Sequence, residues 1–297
     1  MTRISIIVFT LLIVLPLLFA CNREEVRQVS DCGNPACLRE DWVVSVLKQE
    51  SKPFAKFYEA ERGKMPQHIH WIEDTTLPWN TPAYTNISTN TITLKQIPPT
   101  SKDDFMVAHE LCAFLLLAEG FPMTFPTAKA EEEGVADISS YLNSMLDTPL
   151  RDLILKKYGF NVEKAYGFYL GDSLKSASAV GDLAMKTRRM FFYVQMVLYW
   201  QDVLNKSEKS EFQLTWDKWY PEVAHDGLIM LSKVRQIGYN TPEKMELLYE
   251  DIITTWGLNE MIGLMTKQTS TQQGEPAILR LRLEGKKECQ RRVWTKA

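Results

Sequence analysis

Residues 105–118 read Phe105-Met106-Val107-Ala108-His109-Glu110-Leu111-Cys112-Ala113-Phe114-Leu115-Leu116-Leu117-Ala118. Twelve of these fourteen are apolar or Cys. A helix apolar on every side is buried. Two adjacent ionisable residues in its middle are costly there unless they have partners. That cost makes His109 and Glu110 candidates for chemistry. Just ahead, Ser101-Lys102-Asp103-Asp104 reads as a capping box with Asp in the Glu place, and the two acids suit a helix N-terminus.

Upstream, Leu38 to Arg62 has helical spacing, with a break or kink expected at Pro53. His68 to Ile72 alternates like a strand. Ala83 to Ser88 and Thr91 to Leu94 read as two short strands around Thr89-Asn90, a hairpin signal. Downstream, Thr127 to Met145 is expected to be a second helix. Others are expected at 149–157, 161–179, 182–205, 211–219, 225–237, 242–255 and 257–266, with one late strand in Ile278 to Glu284. A small strand region followed by many helices is an α+β, mostly helical pattern. The expected organisation is a signal segment (1–20), a tether (21–37), a strand-plus-helix core (38–145), a helical domain (146–267) and a basic tail (268–297).

The 297 residues carry 34 Lys/Arg and 37 Asp/Glu, with 45% hydrophobic residues. Those values exclude a disordered or collagen-like chain. From Lys267 onward eight Lys/Arg face three Asp/Glu, so the body before it is distinctly acidic. An acidic body argues against duplex nucleic acid as a partner, which needs a basic face.

The first twenty residues form a targeting segment. Arg3 precedes an apolar run from Ile4 to Ala20, short for a membrane span and ending in small residues. Leu18-Phe19-Ala20-Cys21 resembles the bacterial lipobox. The resemblance implies cleavage before Cys21, lipidation of its thiol, and anchoring to a membrane of the cell envelope. Cys32 and Cys37 enclose Gly33, Asn34 and Pro35, which supply turn chemistry, so this pair reads as a small disulfide loop in an exported chain. Cys112 reads as a buried thiol.

Glu133-Gly134-Val135-Ala136-Asp137 begins 24 positions after His109. His-Glu on one helix, followed by Glu-Gly-x-Ala-Asp on the next, resembles the gluzincin metallopeptidases, the thermolysin-like and aminopeptidase-type zincins. The resemblance covers about residues 83–142. It implies a zincin-like fold in which His109 is the first zinc ligand and Glu110 the base that activates the zinc-bound water. It also implies Glu133 as the third ligand and Asp137 as a carboxylate that orients a ligand. One of the strands Ala83–Thr85 and Thr91–Leu94 would be the edge strand that pairs with an extended peptide.

The family places its second ligand one helical turn after the first His, where both imidazoles reach one ion. Here that position is Ala113, and a methyl group cannot bind zinc. Catalytic zinc sites keep three protein ligands. The resemblance therefore implies the fold, with an inactive or weakly active site that binds a peptide or protein partner; an ion there would have at most His109 and Glu133 as protein ligands, so zinc is expected to bind weakly or not at all. The alternative is an active zinc peptidase whose second ligand is Cys112, at i+3, or His225, in the late region where thermolysin-like enzymes place an oxyanion-stabilising His. His68 and His70, at i and i+2, share a strand face and form a further metal-compatible pair. Tyr141 and Tyr166 are candidate oxyanion donors.

Overall fold

A computed structural model describes residues 37–77, 83–163, 186–200, 206–267 and 279–282. The architecture is α+β and mostly helical, with two compact units that divide between Leu115 and Leu116.

The first unit opens with strand β1 (Cys37–Leu38) and helices α1 (Glu40–Glu50) and α2 (Lys52–Glu61). The predicted break at Pro53 is present: Ser51 ends α1 and caps α2, its hydroxyl accepting from the Phe54 amide at 3.2 Å, with Pro53 in the first turn. The two helices fold back on each other. Glu40 accepts hydrogen bonds from the Tyr58 hydroxyl at 2.7 Å and from Arg62 through two nitrogens at 2.5 and 2.7 Å.

Strands β2 (His70–Glu73), β3 (Ala83–Asn86) and β4 (Thr91–Leu94) complete a sheet in the order β1-β2-β4-β3. β2 and β4 run parallel, and β3 runs antiparallel to β4 with Asn86 opposite Thr91. The expected hairpin is therefore formed, around Asn90 at φ 50°. All four residues of β4 are buried, as a central strand requires. β3 lies at the end of the sheet, with Ala83 and Thr85 turned inward and Tyr84 and Asn86 exposed. The strand expected from His68 begins only at His70, so the two histidines do not share a strand face.

Helix α3 (Asp104–Ala118) is buried on all sides from Val107 to Leu116, as its composition predicts. The capping pair is shifted by one residue from the expected one. Asp103 accepts from the backbone amide and the hydroxyl of Thr100, at 2.7 and 2.8 Å, while its carbonyl accepts the Val107 amide. Asp104 is thereby released to accept the Ser51 hydroxyl at 2.5 Å, which ties the start of α3 to the start of α2.

The second unit contains β5 (Met123–Pro126), α4 (Ala128–Glu132), α5 (Ile138–Tyr158), α6 (Lys186–Trp200), α7 (Lys206–Trp219), α8 (Pro221–Ile237), α9 (Pro242–Thr255), β6 (Ile262–Lys267) and β7 (Leu279–Arg282). Its core is built from α5, α6, α8 and α9, with Leu142, Phe191, Met230 and Ile252 among the fully buried residues and Trp216 of α7 packed on the Phe192 and Tyr193 rings of α6. The sequence-based boundary at 145/146 falls inside α5. The helix expected at 149–157 is the second half of α5, which carries a buried Pro149 without ending.

The segment expected to form a helix over 257–266 is instead mainly strand β6. Gly257, at φ +64°, ends the preceding helix, and β6 pairs with β5 on one side and β7 on the other, all antiparallel. The late strand expected in 278–284 is β7. Among the described residues no helix is long and apolar enough to cross a membrane. Cys21, Cys32, Tyr166, most of the helix expected at 161–179 and most of the basic tail lie outside the described residues.

Candidate functional site

In the first unit the site is built from α3 and the edge strand. His109 and Glu110 are each only 8% exposed. A buried carboxylate is stable only when hydrogen-bonded. Glu110 receives that bond from across the chain: the Thr85 hydroxyl of β3 lies 2.6 Å from Oε2 and 3.1 Å from the Glu110 carbonyl oxygen. The other carboxylate oxygen lies 3.8 Å from His109 Nδ1, and the Phe105 ring packs 5.9 Å from the imidazole. One turn after His109, Ala113 is 3% exposed, so the second ligand position carries a buried methyl group. Cys112 is fully buried, as its neighbours predict.

Beside the head of β3 a groove of about 380 Å³ opens between the strands and the first turns of α3. Ala83, Leu94, Pro99, Met106 and Val107 form its apolar lining, and Glu73, Lys95 and Asp103 are its charged residues. Two of these charges already have tasks in the fold. Glu73 accepts the Ile97 amide at 2.9 Å, and Asp103 accepts the Thr100 amide at 2.7 Å in the turn before α3.

The second unit places Glu133 and Asp137 differently from the expected common helix face. The helix expected over 127–145 is broken between them. Glu133 is the C-terminal cap of the five-residue α4, Gly134 turns the chain at φ +68°, and Asp137 is the residue before α5. Glycine adopts that left-handed turn without the penalty a side chain brings. Glu133 is exposed and its carboxylate lies 4.0 Å from Lys129, which makes a closer pair with Glu260. Asp137 pairs with Arg188, which also reaches the Gly134 carbonyl at 3.4 Å. Tyr141, half-buried on α5, has its pKa raised, first by burial and then by the Asp137 charge.

His225 is exposed in the opening turns of α8, next to Asp226, which pairs with Lys186 at 2.7 Å. His68 is exposed and His70 half-buried. Among the described residues no group of three or more His, Cys, Asp or Glu side chains is arranged to hold a metal ion. The residues present do not fit a catalytic zinc: one ligand position is a buried methyl, and the carboxylate assigned as third ligand sits at a solvent-exposed helix end beside a lysine.

Thr85 was not singled out by its sequence pattern, although a signal for it exists. Its strand alternates inward and outward, and a Glu on a wholly apolar helix demands a donor. Comparison of the chain with family models, with curated proteins and with solved structures gives no match. The functional assignment therefore rests on the residues themselves.

Proposed function

We propose that the protein is an exported lipoprotein, anchored through Cys21, with a zincin-like first unit that binds an extended peptide or protein segment and does not cleave it. One observation carries this reading: the His109-Glu110 pair lies buried on α3 with its carboxylate bonded to the sheet's terminal strand, while Ala113 fills the position a second zinc ligand would need. Among the described residues β3 pairs only with β4, so its outer row of N–H and C=O groups is oriented for strand addition. The groove beside Ala83 provides room for an apolar side chain of such a segment.

Without a metal centre Glu110 has no zinc-bound water to activate, and the chemistry left to the site is recognition. The acidic body fits a protein or peptide partner better than a nucleic acid. Binding of reduced, carboxymethylated α-lactalbumin, an unfolded chain with many extended segments, tests the reading. The expected result is saturable binding that is lost when a proline at Tyr84 or Asn86 disturbs the β3 edge, with the probe recovered intact. Cleavage of the probe would instead favour a working zinc peptidase with an unusual second ligand.

A further inference from the structure

We infer that Glu110 and Thr85 form a strap that positions the edge strand: the buried carboxylate, holding the Thr85 hydroxyl, sets β3 in the geometry that strand addition needs. The strap's purpose rests on the peptide-binding reading above, whereas its geometry does not.

The hydroxyl of Thr85 has a single proton and two acceptors within reach, both on Glu110. The carboxylate oxygen is the nearer, at 2.6 Å, and a charged acceptor makes the shorter and stronger bond. Glu110 is buried on a rigid helix, so the bond fixes the strand to the helix rather than the reverse. β3 has four residues and is paired with β4 along one side, with a four-residue turn at its end. A short edge strand held by one ladder opens easily. The described side-chain hydrogen bonds from β3 to α3 both come from Thr85. Fixing the strand before a partner arrives reduces the ordering cost of binding. Glu110 then has a task that needs no metal: it is a positioning residue acting through Thr85.

Hydrogen exchange read by mass spectrometry on the full chain in detergent, with the binding of carboxymethylated α-lactalbumin measured in parallel, tests the strap. Thr85→Val keeps the shape and removes the proton. Since a bond to a charged group is stronger than a neutral one, its loss should make the protected amides of residues 83–86 exchange at least about tenfold faster. Thr85→Ser, which restores the hydroxyl, should return them to within about threefold of wild type. Glu110→Gln keeps an acceptor but not its charge, and should accelerate the same amides by about fivefold while leaving α1 and α2 unchanged. If Thr85→Val does not fold, the Glu110→Gln result decides. Unchanged exchange at 83–86 in either variant, or equal acceleration throughout the first unit, overturns the strap. Exchange that follows the expected order while wild type fails to bind the unfolded probe leaves the strap standing and removes the peptide-binding reading.

Discussion

The ring of Tyr193 packs directly on Gly227, so that α6 and α8 meet where α8 carries no side chain. A Cβ built on Gly227 would stand 2.4 Å from the ring's Cδ1 atom, and Tyr193 is itself only 1% exposed. Alanine normally stabilises a helix interior by about 1 kcal/mol relative to glycine. Here Gly227→Ala should instead destabilise the second unit by about 1–3 kcal/mol, the cost of overpacking. Gly63→Ala, where nothing lies within 4 Å, is the control and should stay within about 0.5 kcal/mol of wild type in denaturant titrations.

The α1–α2 pair should be sensitive to alkali. Burial, and then its hydrogen bond to Glu40, raises the Tyr58 pKa above the ordinary value of 10.0. A raised pKa in the folded state means that the full contribution is present below the unfolded value and is lost as pH rises above it. The stability of the first unit should therefore fall with pH above about 10. Tyr58→Phe should flatten that alkaline slope and lower stability at neutral pH, as read by thermal melts across pH 8–12.

Asn143 is the polar hub that joins β5 to α5. Its Oδ1 accepts the Thr124 amide at 2.8 Å and the Thr124 hydroxyl at 3.0 Å, and its Nδ2 donates to the Thr124 carbonyl at 2.8 Å. Tyr249, buried behind it with its pKa raised by desolvation, lies 3.4 Å from the same oxygen. Asn143→Leu should leave the Thr124 backbone groups unsatisfied and cost about 2–3 kcal/mol. Calorimetry showing less than about 0.5 kcal/mol would contradict that assignment.

The proposed lipidation at Cys21, motivated by Leu18-Phe19-Ala20-Cys21 behind an apolar run, is directly testable. Intact-mass analysis of membrane-extracted protein should show acyl chains and no residues 1–20. Cys21→Ser should release the protein from membranes. A wild-type chain found soluble with an unmodified thiol would remove the anchor from the account.

Much of the first unit was legible because its signals are local. The all-round apolar run gave α3, Pro53 gave the break between α1 and α2, and the alternation on both sides of Thr89-Asn90 gave the hairpin. The errors arose where a local pattern competed with one turn residue or a distant partner. Gly134 breaks a stretch whose composition favours one helix, which removes Glu133 and Asp137 from a shared face. Strand β6 exists because β5, more than 130 residues earlier, pairs with it, and no periodicity within 257–266 announces that pairing. Likewise, the His-Glu pair was visible in the sequence, while its partner Thr85, 25 residues away, needed the fold.

The zinc content of the purified wild-type chain decides whether the His109-Glu110 site is a metal centre. Ala113 is buried where a second imidazole would stand, and Glu133 sits at an exposed helix end beside Lys129, so two of the three positions a catalytic zinc uses are not built for it. Ala113→His should place an imidazole at a buried position, cost about 1–3 kcal/mol in stability, and bring little zinc with it. Wild type equilibrated with excess zinc and then gel-filtered should carry far less than one metal per chain and hydrolyse no peptide. One zinc per chain, with cleavage of a casein substrate abolished by Glu110→Gln, would contradict that expectation.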